Sequence, residues 1–257
     1  MKTIGFVVSL LLAAPQIHAA GEALEYKSGD VVLEGYLATP EIKRLKNPAV
    51  LIVHDWMGPS EFTRNKADQM ARMGFVALAV DIYGKNVRPK NPKEAGAAAA
   101  TYKNDVKLMR ERINAALQAL QREPGVDKSK IVVFGYCFGG TVALELARSG
   151  APIAGAVSFH GGLVTPKVSD AKSIKGKLLV LHGAIDPFVP QAEVEAFWKE
   201  MNDAKVDYQF NSYSGAVHAF TNPKAGSDIS KGTAYNAEAD RRSWQAFETF
   251  LKDVVPQ

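Results

Sequence analysis

Short runs of hydrophobic residues alternate with longer amphipathic stretches along most of the chain. From residue 49 onward these runs are almost entirely apolar and do not alternate with polar positions. Both faces of each corresponding strand are therefore expected to be buried, as in a mostly parallel sheet with helices on both faces. The pattern predicts an α/β fold with strands at residues 49–53, 75–80, 131–134, 153–158, 178–181 and 208–213.

Two further strands are predicted ahead of this region, at residues 22–27 and 31–38. They flank Ser28-Gly29-Asp30, a turn sequence that favours an antiparallel hairpin. One helix is predicted to follow a polar, proline-containing stretch that begins at residue 84 and to end near Arg122, before Pro124-Gly125. Amphipathic patterns predict the remaining helices at 61–73, 138–148, 191–203 and about 234–254.

The first twenty residues have the pattern of a cleaved secretory signal peptide. Lys2 precedes an apolar segment at 4–14, and cleavage is expected near Ala19 or Ala20. The apolar segment is too short to span a bilayer, and no later segment predicts a membrane span. We therefore expect a signal peptide at 1–20, a single domain at 21–257, and a periplasmic or secreted protein.

The composition is that of an ordinary globular protein, with 257 residues of which 47% are hydrophobic and 23% charged. A chain of this length can bury a sizeable core without disulfides or metals. The net charge of +4 arises from 31 basic and 27 acidic residues that are interleaved along the chain. This pattern is typical of a mixed, solvated surface and argues against nucleic-acid binding.

Cys137 is the only cysteine in the sequence. An intramolecular disulfide and a multi-cysteine metal site are therefore excluded. A lone thiol is either a buried small apolar residue or a reactive group, and composition alone favours the buried, inert interpretation.

The segment around Cys137 favours the reactive interpretation. It reads Gly135-Tyr136-Cys137-Phe138-Gly139-Gly140 between a predicted strand and a predicted helix, the form of a nucleophile elbow with Cys in place of Ser. The glycines let the neighbouring backbone come close at a strained turn. The start of the helix directs free N–H groups and a positive dipole end at the sulfur, which favours the nucleophilic thiolate. A tight turn with a packed cysteine is the alternative.

A nucleophile elbow predicts an acid and then a base on later strand-end loops. Asp186 follows the predicted strand at 178–181, and His218 follows the one at 208–213. His218 can then accept the thiol proton while Asp186 binds the other ring nitrogen. The alternatives are a turn or helix start at Asp186 and an ordinary loop histidine at His218.

The other histidines near strand ends fit the role of base less well. His182 is a rival base that is expected to shape the acid loop, and His160 is expected to line the pocket or to pack. His54 ends the first parallel strand. Because the histidines are far apart in sequence and lack the spacing of metal ligands, we predict no metal.

Acyl transfer needs two N–H donors for the developing oxyanion. One is predicted to be the backbone N–H of Phe138, the residue after the nucleophile. The other is predicted to be that of Trp56, in the loop after the first parallel strand. Asp55 lies in the same loop, where it either influences ionisation of the thiol or caps the loop.

These segments resemble the dienelactone hydrolase family of the α/β-hydrolase superfamily, from about Leu33 to Leu251. The resemblance implies an α/β-hydrolase fold, a triad of Cys137, His218 and Asp186, no cofactor, and a thioester intermediate that water resolves. We expect the substrate pocket and thiol activation to involve Asp55, His160 and Tyr83. The segments that carry the resemblance are His54-Asp55-Trp56-Met57-Gly58, Asp81-Ile82-Tyr83-Gly84, the Cys137 elbow, His182-Gly183-Ala184-Ile185-Asp186-Pro187 and Val217-His218-Ala219-Phe220.

Two positions depart from the family pattern. Asp55 stands where dienelactone hydrolases carry Glu, and the stretch after His218 lacks the Arg that binds the substrate carboxylate in that family. Lys85, Arg88 and Lys224 are the candidate replacements for this cation.

The sequence thus predicts a monomeric hydrolase that acts on a small ester or lactone, binds no nucleic acid and has no membrane span. Two other classes stay open: a non-catalytic ligand-binding protein on the same fold, and an acyltransferase that shares the acylation step. A thiol redox sensor would need an external thiol, because the sequence has no second cysteine.

Overall fold

The computed structural model of this protein describes residues 21–42 and 44–256. The predicted signal peptide at 1–20 lies outside the described residues. Within them, no helix combines the length and the apolar character that a membrane crossing requires.

In the described part of the chain, eight strands form one sheet in the order β1-β2-β4-β3-β5-β6-β7-β8. The pairs β1–β2 and β2–β4 are antiparallel, and the others are parallel. The predicted fold class and the N-terminal antiparallel hairpin are therefore confirmed. The strands are β1 (Glu22–Ser28), β2 (Val31–Ala38), β3 (Asn47–Val53), β4 (Val76–Val80), β5 (Val126–Tyr136), β6 (Gly155–Phe159), β7 (Lys177–Gly183) and β8 (Tyr208–Tyr213).

Helices cover both faces of this sheet. They are α1 (Glu61–Arg72), α2 (Pro92–Asn104), α3 (Val106–Arg122), α4 (Phe138–Arg148), α5 (Gln191–Ala204) and α6 (Ala237–Val254). Leu51 and Val53 of β3 belong to the apolar cluster that contains residues of α2 to α5, whereas Val50 and Ile52 belong to the cluster that contains residues of α1 and α6. This two-sided burial is the physical reason for the continuous apolar strand runs, because each fully buried aliphatic side chain contributes about 1.5–3 kcal/mol.

The single long helix predicted to end near Arg122 is wrong, because the structure has two helices there. Asp105 separates them with φ −127° and ψ 83°, and its side chain caps the second by accepting from Leu108 N–H at 2.9 Å. The last helix also begins later than predicted. Asn236 caps it by accepting from Ala239 N–H at 3.0 Å, while Ala234 N–H instead donates to His218 O at 3.1 Å.

The parallel strands bring their carboxyl ends to one edge of the sheet, which is where ligands bind in such folds. β5 and β6 are neighbours, as are β7 and β8, so the loops that follow them converge. These loops carry the residues singled out from the sequence.

Candidate active site

Cys137 lies between the end of β5 and the start of α4, with φ 55° and ψ −117°. Positive φ is uncommon for a residue that carries a Cβ, and it marks local strain. The neighbouring glycines permit this turn. A Cβ at Gly135 would collide with the backbone of Gly139, and a Cβ at Gly139 would collide with the carbonyls of Val53 and His54.

Phe138 is the first residue of α4, so its N–H has no acceptor within the helix. The N–H of Cys137 itself is engaged, since it donates to Phe159 O at 3.0 Å and lies 3.2 Å from His160 Nδ1. The Phe138 side chain is buried against the rings of Tyr83 and Tyr102. The predicted oxyanion donor thus sits at the helix start beside the thiol.

Asp186 and His218 form a hydrogen-bonded pair, with Asp186 Oδ2 2.8 Å from His218 Nδ1. Burial acts to lower the pKa of His218, but the hydrogen bonds to Asp186 and Cys137, together with their charges, raise it to about 10. The structure therefore brings the three predicted residues together, and its electrostatics favour a protonated imidazole on His218.

The backbone of His218 is held from both sides. Its N–H donates to Gly232 O at 3.1 Å, and its carbonyl accepts from Ala234 N–H at 3.1 Å. The Phe188 ring, from the loop that carries Asp186, contacts the imidazole edge-on at a centroid distance of 5.5 Å. Nothing in the sequence pattern indicated the contribution of Gly232 and Ala234, because they belong to an irregular segment without periodicity.

His160 lies against the triad rather than lining an open pocket. It is 3% exposed, and its ring centroid is 5.1 Å from that of His218. Its Nε2 is 2.8 Å from the hydroxyl of Thr221, a residue that the sequence did not single out. Burial, and then the nearby His218, hold the pKa of His160 well below its ordinary value.

The other two histidines at strand ends, His54 and His182, make structural contacts. His54 Nε2 accepts from Ile82 N–H at 3.2 Å, and its Nδ1 is 2.6 Å from Asp55 O, so the ring links the ends of β3 and β4. His182 packs against Phe210, and burial lowers its pKa.

The loop after β3 places Asp55 beside the triad. Burial raises the pKa of Asp55, opposed by the hydrogen bond from Met57 N–H at 2.8 Å and by the charges of His54 and His218. Tyr83 fixes the position of Trp56, the residue after Asp55, because the Tyr83 hydroxyl donates to Trp56 O at 2.8 Å. Burial and then the charges of Asp55 and Cys137 raise the pKa of Tyr83. The assignment of Trp56 N–H to the oxyanion stays a prediction.

Two of the three candidate cations, Lys85 and Arg88, are already paired with carboxylates. Lys85 pairs with Glu25 and, at 3.0 Å, with Glu34. The Arg88 guanidinium pairs with Asp81 at 3.2 Å and donates to Gly84 O at 2.6 Å. Lys224 lies exposed in a short 3₁₀ helix, Pro223–Ala225. Within residues 21–42 and 44–256, no group of three or more His, Cys, Asp or Glu side chains is arranged to hold a metal ion.

The chain is similar to known proteins over most of its length. The model of the dienelactone hydrolase family matches residues 33–255. The crystal structure of P91, a dienelactone hydrolase-like promiscuous phosphotriesterase from metagenomic libraries, has 36% sequence identity and a TM-score of 0.86, covering 91% of this chain and 98% of its own. A candidate carboxymethylenebutenolidase of Aquifex aeolicus is 29% identical, over 90% of this chain and 100% of its own. The uncharacterised protein K02A2.1 of Caenorhabditis elegans is 39% identical, over 57% of this chain and 94% of its own. This chain therefore belongs to the dienelactone hydrolase family and is a hydrolase of that type.

Proposed function

We propose that this hydrolase cleaves small carboxylic esters or lactones with Cys137 as nucleophile, His218 as base and acid, and Asp186 as the residue that orients His218. The observation that carries the proposal is the 2.8 Å pair of Asp186 and His218 beside a strained cysteine at the start of a helix. Each member has the residue type, position and burial that nucleophilic catalysis requires.

The sulfur of Cys137 attacks the carbonyl carbon, and its proton resides on His218. The carbonyl π electrons move to oxygen, and the N–H groups of Phe138 and Trp56 stabilise the resulting oxyanion. Collapse breaks the bond to the leaving oxygen, which takes the proton from His218 and departs as an alcohol. Water then gives a proton to His218 and attacks the thioester carbon, so that the acid product leaves and the thiolate is restored.

The site favours a substrate without a carboxylate. Lys85 and Arg88 are already paired with carboxylates, so neither is an available cation. Asp55 adds an acidic group close to His218 and Tyr83. A carboxylate on the substrate would therefore meet the charge of Asp55 with neither Lys85 nor Arg88 free to offset it. Neutral esters and lactones are the preferred class.

Phosphotriesters are a second candidate class for the same site. They are neutral, and P91, which is 36% identical to this chain, is a promiscuous phosphotriesterase. Attack by Cys137 on phosphorus would use the same base and the same N–H donors as attack on a carbonyl.

Hydrolysis of p-nitrophenyl acetate by the mature protein tests the proposal, beside Cys137→Ala, Cys137→Ser and iodoacetamide-treated enzyme. We expect turnover that falls at least about 1,000-fold in Cys137→Ala and after alkylation. Paraoxon-type triesters in the same assay test the second class. A stoichiometric burst without turnover would favour an acyltransferase, and a folded, reduced protein without any reaction would favour ligand binding.

We also propose that residues 1–20 direct export and that the mature chain is a monomer. N-terminal sequencing of protein recovered from an expression host should begin at residue 20 or 21. Light scattering after size exclusion should give the mass of one mature chain. A retained Met1 or a dimeric mass would contradict the respective proposal.

A further inference from the structure

The His160 ring connects the nucleophile to the loop that carries the base. On one side, its Nδ1 accepts from the backbone N–H of Cys137 at 3.2 Å. On the other side, its Nε2 lies 2.8 Å from Thr221 Oγ1, three residues beyond His218. His160 is 3% and Thr221 4% exposed, so water does not compete for either contact.

These contacts fix the tautomer of His160. A backbone N–H is only a donor, so Nδ1 must present its lone pair to Cys137, and the ring proton must be on Nε2. Nε2–H then donates to Thr221 Oγ1. Burial holds the pKa of His160 far below that of its neighbour His218, so the ring stays neutral while His218 carries a proton. A protonated His160 would lose its role as acceptor.

The local backbone is strained to place this ring. His160 has φ 42°, which is unusual for a residue that is not glycine. Ala219, in the loop between His218 and Thr221, also has a positive φ of 57°. The Phe220 ring packs edge-on against His160 at a centroid distance of 5.1 Å. Strain of this kind persists where the surrounding contacts determine the geometry.

We propose that His160 is a positioning residue that sets the separation of the Cys137 sulfur and the His218 imidazole through its hydrogen bonds to Cys137 N–H and Thr221 Oγ1. The inference rests on the proposed function of Cys137 and His218. His160 touches no substrate in this role, and it transfers no proton.

The thiol–imidazole pair has several titratable neighbours that contribute to any pH profile. Asp55 faces it from the loop after β3, Tyr83 from the end of β4, His160 from the end of β6, and His182 and Asp186 from the end of β7. The first variant is therefore chosen to leave all of these groups in place.

Thr221→Val meets this condition, because it removes only the hydroxyl that anchors His160. Thr221→Ser restores the hydroxyl and is the conservative rescue. Thr165→Val is the matched control for packing, because among the described residues Thr165 Oγ1 is likewise buried but has no hydrogen-bond partner. Each variant is assayed for kcat and KM with p-nitrophenyl acetate and for the pH dependence of iodoacetamide alkylation of Cys137.

We expect Thr221→Val to lower kcat about 10- to 100-fold with KM changed by less than about twofold, the effect of a misplaced catalytic pair. The alkylation midpoint should move upward in pH, because a looser pair stabilises the thiolate less. Thr221→Ser should return both quantities toward wild type, and Thr165→Val should move neither. A folded Thr221→Val protein with wild-type kcat and alkylation profile would overturn the inference.

His160→Asn provides a second test if Thr221→Val fails to fold. Asn tolerates the left-handed backbone of His160, and its Oδ1 can still accept from Cys137 N–H, but the side chain is too short to reach Thr221. It should reproduce the change in the alkylation profile. Alkylation requires no ester turnover. A wild-type protein that does not hydrolyse esters would therefore refute the proposed function without deciding the role of His160. An unchanged alkylation profile in His160→Asn would overturn the positioning role alone.

Discussion

The polar groups at the two ends of α4 have opposite environments. At its start, Cys137 has a strained backbone and lies beside the hydrogen-bonded pair of His218 and Asp186. At its end, the fully buried guanidinium of Arg148 is surrounded by partners. It makes two hydrogen bonds to Glu200, at 2.7 and 2.9 Å, one to Glu145 at 3.0 Å, and one to Leu163 O at 2.9 Å.

The difference shows how one helix separates reactivity from stability. Each charged side chain around Arg148 is paired with an opposite charge, and Glu145 is further paired with Arg110 at 2.7 Å. Such a network is costly to open, because a lost partner leaves a buried charge without compensation. Around Cys137, by contrast, free N–H groups and strain are retained, and these are useful only to a reacting substrate.

The loop after β6 joins the two ends. His160, at its beginning, contacts Cys137, and Leu163 accepts from Arg148. Between them, Gly162 O accepts from the Thr141 hydroxyl at 3.0 Å. The ionic network therefore supports the segment from which His160 reaches the nucleophile, although its charges lie away from the reacting atoms.

The largest expected effect belongs to the reactive end. Asp186→Asn should lower kcat for p-nitrophenyl acetate by about 10³–10⁴-fold, because an amide neither stabilises the imidazolium nor selects the correct tautomer of His218. Urea unfolding should show a much smaller change. Asp203→Asn, at an exposed aspartate that pairs with Lys199, is the matched control and should leave kcat intact. Comparable kcat losses in both variants would mean that Asp186 has no specific role in catalysis.

The next effect belongs to the ionic end and should appear in stability. Arg148→Ala should lower the free energy of unfolding by about 3–5 kcal/mol, because Glu145 and Glu200 are left buried with one partner fewer. The Arg148→Met/Glu200→Met double variant should recover much of that loss by replacing the pair with apolar contacts. Urea unfolding at neutral pH measures both, with the exposed Arg241→Ala as a control that should change little. An equal loss in the single and double variants would contradict this account.

The strain at Cys137 predicts a smaller effect on stability. Cys137→Gly and Cys137→Ala should both be inactive, but glycine adopts φ 55° and ψ −117° without the penalty that alanine meets. Relief of about 1–3 kcal/mol of strain exceeds the roughly 0.4–1 kcal/mol that glycine loses through unfolded-chain entropy. The glycine variant should therefore be the more stable by about 1 kcal/mol in urea unfolding. A more stable alanine variant would mean that the elbow holds little strain.

The sequence was sufficient for the sheet and for bringing the three candidate catalytic residues together, because both follow from strong local patterns. Apolar runs fix the strands, and Cys137, Asp186 and His218 each follow a strand end. The break at Asp105 was missed because the amphipathic pattern continues across it, and only the capping of Leu108 N–H reveals it. Thr221 was missed for a different reason. Its partner His160 is 61 residues away, and the contact depends on two positive-φ residues that no sequence pattern specifies.

The pH dependence of stability should sharpen the comparison within the reactive end itself. The pKa of His218 is raised to about 10 in the folded protein, so its contribution is fully present below pH 6.5, the ordinary histidine pKa, and is lost as the pH rises toward 10. His160 has the opposite sign. Its pKa is lowered, so its neutral form costs nothing above pH 6.5, but stability is lost as the pH falls below that value.

The margin by which the free energy of unfolding of wild type exceeds that of His218→Gln should therefore shrink on going from pH 6.5 to 10, by at most about 1.4 kcal/mol per pH unit for one proton. The margin over His160→Asn should instead shrink on going from pH 6.5 toward acid. Urea unfolding of the three proteins across this range measures both slopes, and two slopes of the same sign would show that the neighbouring rings do not divide their protonation states as the structure indicates.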